Sequence, residues 1–122
     1  MDKLETIFAM QKSLNEDIVR LRALEGISDE EWIRKNVLAM VSELGELLDE
    51  VNFKWWKNEK PVDAAAVREE LVDILHFFVS MCLKAGVDAD ALFEGYVAKN
   101  KENFDRQYGR SAKPGYAVGK DT

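Results

Sequence analysis

The sequence predicts an all-α protein, an antiparallel four-helix-type bundle that assembles as a homodimer. Three observations carry that expectation. Apolar residues recur at three- and four-residue intervals along most of the chain, and few stretches alternate as a half-buried strand would. The two prolines, Pro61 and Pro114, fall near expected helix ends. The connections between the periodic stretches are short, which favours antiparallel neighbours. A bundle of 122 residues is small for a monomer, so a second copy is expected to complete its core.

The first helix carries Leu4, Ile7, Phe8, Gln11, Leu14, Ile18 and Leu21, and Glu25-Gly26 reads as its end. Ser28 is the expected N-cap of the second helix, with Glu31 three residues on as in a capping box. That helix is expected over 29–55, with Ile33, Val37, Met40, Leu44, Leu47 and Val51 as its stripe. Residues 57–61 form a turn. A third helix starts near Asp63, carries Val67, Leu71, Ile74, Leu75, Phe78 and Met81, and stops at Gly86. The fourth begins near Asp88 and carries Leu92, Tyr96, Lys99, Asn103 and Arg106. Residues 1–107 are thus expected to form one domain, and 108–122 a mobile tail of that domain.

Composition narrows the function. The formal net charge is −6, from 17 basic and 23 acidic residues, so a nucleic acid polymer is a poor partner. No helix shows the clustered basic face of a DNA reader. A lone Cys82 excludes an internal disulfide and a cysteine-rich zinc site, and its apolar surroundings make it a small buried hydrophobe. No apolar run reaches the roughly 18 residues of a membrane span. The N-terminus lacks the basic start and apolar block of a signal peptide, so a cytoplasmic location is expected.

The acids are placed unusually. On a helix with Glu43 at zero, Glu46 falls near −60° and Glu50 near −20°, beside the apolar residues Leu44, Leu47 and Val51 at about +40° to +100°. Like charges so spaced gain nothing from each other. Gly45, amid them, is costly inside a helix, and a close approach by a ligand or another helix would explain it. Glu70 and Asp73 repeat the theme beside Leu71, Ile74 and Phe78. Packing the two stripes together brings two acidic pairs face to face, which repel unless protonated or bound to a cation. Oxygen donors with no cysteine and one histidine favour Mg²⁺, with Mn²⁺ as a substitute. Magnesium held by carboxylates takes phosphate oxygens, which points to phosphoanhydride hydrolysis. The plainer reading is a solvated acidic face, which Mg²⁺ would not stabilise.

Glu43-x-x-Glu46 followed by Glu70-x-x-Asp73 resembles the acidic signature of the all-α nucleoside triphosphate pyrophosphatases, which include the MazG-like proteins and the dimeric dUTPases. Further segments are similar to the dimeric dUTPase branch, in its order: Gln11-x-x-x-Asn15, Phe53-Lys54-Trp55-Trp56-Lys57, Asp73-Ile74-Leu75-His76-Phe77, and Lys99-Asn100-x-x-Asn103-x-x-Arg106-Gln107. The resemblance implies a homodimer holding Mg²⁺ on Glu43, Glu46, Glu70 and Asp73. It implies cleavage of dUTP to dUMP and pyrophosphate by a metal-activated water, with Glu46 as general base. Gln11, Asn15 and Trp55 would read the base, and His76 and Phe77 would meet the sugar. Lys54, Lys57, Lys99, Asn103 and Arg106 would bind phosphates.

Simple chemistry is compatible with these roles. Gln11 and Asn15 lie four residues apart, so their amides share a helix face and offer paired donors and acceptors to an imide edge. An indole stacks on any base, so the amides must supply the choice. If Trp55 and Trp56 are helical they diverge by about 100°, leaving one for packing. Trp32 reads as core or staple packing. The chain is as compact as the short MazG-like members, whose base preferences vary. Two alternatives therefore stand: the same chemistry on dCTP or a damaged nucleotide, and a non-catalytic helical interaction module.

Overall fold

A computed structural model describes residues 1–119 of the chain. It contains four helices: α1 over Lys3–Arg22, α2 over Asp29–Glu50, α3 over Ala64–Lys84 and α4 over Ala89–Gln107. There is no strand among the described residues. None of the helices is long and apolar enough to cross a membrane.

Local chemistry explains where each helix begins. Asp2, Ser28, Asp63 and Asp88 each cap a helix by accepting a backbone N–H with the side chain. Ser28 takes the Glu31 amide at 3.1 Å, as the capping box requires. Asp63 takes two amides, those of Ala65 at 3.0 Å and Ala66 at 3.2 Å. The ends follow equally local rules. Gly86 adopts φ 75°, and Val87 N–H then reaches back to the Cys82 carbonyl at 2.9 Å. At α1 the left-handed residue is Ala23, φ 54°, so that helix closes before Glu25-Gly26.

One boundary differs from the sequence expectation. Helix α2 stops at Glu50, not at Trp55. Asn52 turns left-handed, φ 58°. Its side-chain amide then clasps the far end of the loop, accepting Lys60 N–H at 3.0 Å and donating to the Lys60 carbonyl at 2.9 Å. Three acids in the last turns, Glu46, Asp49 and Glu50, also oppose the negative end of the helix dipole. Trp55 and Trp56 therefore sit on a loop, their rings packed edge to face at 4.7 Å.

The described chain divides into two compact units, residues 1–87 and the segment from Asp88 onward. In the first, α2 and α3 run antiparallel. Asp29, at the start of α2, pairs with Lys84, at the end of α3, at 3.8 Å. Helix α1 runs parallel to α3, because Gln11 meets His76 and Asn15 meets Ser80, both with the same 65-residue offset. Both α1 and α2 pack on α3 but not on each other. Phe8, Val79 and Cys82 are the buried apolar side chains of this unit, with Gln11 and Ser80 buried among them. Burial pushes the Cys82 thiol pKa up, which keeps the sulfur protonated and inert.

In the second unit the chain after α4 returns onto the helix. Ser111 Oγ donates to Glu102 at 2.8 Å, and Arg106 pairs with the same carboxylate at 3.1 Å. These two contacts, the hydroxyl first, hold the Glu102 carboxyl below its usual range. Arg106 also stands over the Tyr116 ring, 5.3 Å from its centre. Residues 120–122, part of the expected tail, lie outside the described residues.

Candidate active site

Because α1 and α2 diverge over α3, a cleft of about 510 Å³ opens between them. Its lining changes character along the α3 floor. Glu43 and Asp73 mark one end, Gln11, Asn15, Asn36, His76, Phe77 and Ser80 the middle, and Trp32 and Lys84 the other end. Ten residues of helix separate Glu70 from Ser80, a rise of about 15 Å.

At the acidic end, one carboxylate oxygen each from Glu43, Glu46 and Glu70 lies within 4.8 Å of the others. With both carboxyls ionised, Oε2 of Glu43 and Oε2 of Glu70 are buried with no donor to pair them. Leaving buried carboxylate oxygens unpaired is costly. The Glu70 carboxyl responds by holding its proton, its pKa pushed from 4.5 to about 7. A hydrogen bond with Glu43 is the main cause, followed by loss of water and the charges of Glu46 and Glu43. These hard oxygen donors, two of them orphaned, fit a divalent cation such as Mg²⁺ or Mn²⁺. Asp73, one turn beyond Glu70, borders the same cleft outside this cluster of three.

The middle of the cleft is the opposite case. Gln11 donates from Nε2 to Asn15 Oδ1 at 2.9 Å. Asn15 Nδ2 donates to Ser80 Oγ at 3.1 Å. Ser80 Oγ donates to the His76 carbonyl at 2.7 Å. The ring Nδ1 of His76 meets Gln11 Oε1. Gln11 and Ser80 are only 7% and 4% exposed, so the network is held by packing as well as by hydrogen bonds.

The remaining expected site residues are spread more widely. Lys54 and Lys57 line a separate hollow of about 450 Å³ with Asn52, Asn58 and Lys60. Lys54 also pairs with Asp49 at 3.5 Å. Trp55 is 85% exposed and is not part of the cleft wall. Lys99 and Asn103 are exposed on α4, where Arg106 is engaged by Glu102.

Two further residues of the sequence reading, Trp32 and Gly45, have defined surroundings. Trp32 is not core: it borders the cleft, half-buried, with Lys84 Nζ 5.9 Å above its ring. A Cβ at Gly45 would meet nothing within 4 Å, so within this chain no helix closes on that glycine. Sequence reasoning missed Ser80. The available signal was spacing: His76 and Ser80 are four apart on α3, as Gln11 and Asn15 are on α1.

Residues 3–91 match the protein family described as dUTPase. A dCTP pyrophosphatase of Enterobacteria phage T4 is 45% identical over 47 residues, covering 38% of this chain and 28% of the phage protein. A dCTP pyrophosphatase of Enterobacteria phage LZ5 is 36% identical over 58 residues, covering 48% and 34% respectively. The chain thus spans about a third of the length of these relatives. No solved structure matches it significantly.

Proposed function

The chain belongs to the dUTPase family, and from that membership we propose that it is a Mg²⁺-dependent nucleoside triphosphate pyrophosphatase that takes dUTP to dUMP and pyrophosphate. The observation that carries the chemistry is the set of three converging carboxylates with two orphaned oxygens. Glu43, Glu46 and Glu70 would hold the ion, with Asp73 bordering the same end of the cleft. Bound there, Mg²⁺, or Mn²⁺ as a substitute, would neutralise charge at the phosphates and make a water more acidic. Glu46 is the most exposed member of the trio. It is therefore the carboxylate suited to accept the proton of the attacking water.

The triphosphate end of a substrate belongs at the carboxylates, and the base at the amides of Gln11 and Asn15. Phe77, half-buried in the cleft wall, offers an apolar surface to the deoxyribose beside His76. Of the three indoles, that of Trp32 borders the space where a base would stack, a contact worth about 1–3 kcal/mol. Lys54 and Lys57 in the first unit, and separately Lys99, Asn103 and Arg106 in the second, are the residues that the sequence motifs imply for phosphate binding.

The names of the phage relatives favour a second substrate, dCTP, by the same chemistry. A homodimer is supported by an apolar face that this chain leaves open. Leu38, Val41 and Leu48 are exposed and lie opposite Glu43 on α2, with Gly45 between them. Incubation with Mg²⁺ and each deoxynucleoside triphosphate, followed by separation of products, tests the reading. Release of dUMP and pyrophosphate with dCTP and dTTP spared is the expected result. Cleavage of dCTP alone would replace the substrate, and absence of any cleavage would leave a binding module.

A further inference from the structure

The four hydrogen bonds in the cleft form a closed ring whose direction is set by one atom. The His76 carbonyl accepts the Ser80 hydroxyl at 2.7 Å. A carbonyl has no proton to give, so the hydroxyl must spend its own there. Ser80 Oγ can then only accept, and the Asn15 nitrogen must face it. That leaves Asn15 Oδ1 facing the Gln11 nitrogen, and Gln11 Oε1 facing the His76 ring. An amide oxygen also has no proton to give. His76 Nδ1 therefore carries the ring hydrogen, and Nε2 of the neutral ring is left as an acceptor.

Uracil and cytosine differ by the same kind of exchange. Uracil presents N–H at position 3 and a carbonyl at position 4, whereas cytosine presents a bare nitrogen and an amino group. An amide turned over swaps its oxygen and nitrogen, and so swaps which of the two bases it matches. We propose that Ser80 is a positioning residue that sets the base preference of the cleft by fixing the orientation of the Asn15 and Gln11 amides. It does so without touching the base. The proposal rests on the nucleotide-hydrolysing reading above. Without the hydroxyl, the chain from Asn15 through Gln11 to His76 can reverse as a unit. His76 then accepts at Nδ1 and carries its hydrogen on Nε2.

The chain has a single histidine, so ¹⁵N NMR of its side chain reads the direction of the ring. The neutral His76 ring is expected to be the Nδ1–H form in the native protein, and a mixture with Nε2–H in Ser80→Ala. In parallel, the ratio of kcat/KM for dUTP over dCTP is measured with Mg²⁺. Ser80→Ala is expected to lower the preference for the favoured base about tenfold, the scale of a lost polar discrimination, with kcat on that base changed little. Ser80→Thr, which keeps the hydroxyl, is expected to restore both readouts. An Nε2–H ring in the native protein overturns the proposal without recourse to any variant. An unchanged tautomer or an unchanged base ratio in a folded Ser80→Ala protein also overturns it. Failure of the native protein to cleave any nucleotide instead defeats the hydrolase reading, and the tautomer still decides whether Ser80 orients the amides.

Discussion

The two ends of one cleft solve opposite problems. At the acidic end, Glu43, Glu46 and Glu70 crowd together, two of their oxygens have no partner, and Glu70 keeps a proton it would ordinarily lose. A few turns along α3, Gln11, Asn15, Ser80 and His76 are joined into a closed ring. The first arrangement is incomplete until something positive arrives. The second is complete before any ligand arrives, so its donors and acceptors are already aimed. On the proposed reading, charge must be supplied to the chemistry, whereas the groups that would read the base are ordered beforehand.

The largest expected effect separates the ends outright. Glu46→Gln should lower turnover by about 10²–10⁴, the usual range for a lost general base, while far-UV circular dichroism stays unchanged. Retained turnover would mean that the acidic end is not where bonds are broken.

Proton and metal should compete at that end and not at the other. The Glu70 pKa is raised in the fold from 4.5 to about 7. Its proton therefore favours the folded state below pH 4.5, and that contribution is lost as pH rises towards 7. Calorimetry should show the metal-free protein losing melting temperature across this window. Added Mg²⁺ should restore it, more at pH 8 than at pH 5. Glu70→Gln should remove both the pH dependence and the Mg²⁺ response. A melting temperature indifferent to Mg²⁺ would return the three glutamates to an ordinary solvated face.

The smallest effect lies on the far side of α2. An alanine at Gly45 meets open space and should stabilise the isolated chain by about 1 kcal/mol in urea unfolding. A loss of stability that deepens with protein concentration would instead place Gly45 against a second copy.

Helix starts were legible because caps act within three residues of sequence, as at Ser28, Asp63 and Asp88. The shared face of Glu43 and Glu46 was legible because helical periodicity alone produces it. The end of α2 was not, since the clasp of Asn52 on Lys60 spans eight residues and depends on a left-handed backbone that an asparagine only tolerates. The place of Trp32 at the cleft was not legible, because α1 and α2 standing apart is something that no local pattern reports. Ser80 escaped for a related reason. A serine in an apolar helix looks neutral until its partner 65 residues away is known.

The sharing of α3 has a consequence for how such a protein can change. Two of the three clustered acids are inherited on α2, and both amides on α1, with α3 common to both ends of the cleft. On the proposed roles, the acids of α2 and the amides of α1 lie on helices that do not pack on each other. On that reading, drift in the α1 amides or in the Ser80 that orients them would redirect the cleft towards a new base. The carboxylates need not be rediscovered each time the target changes.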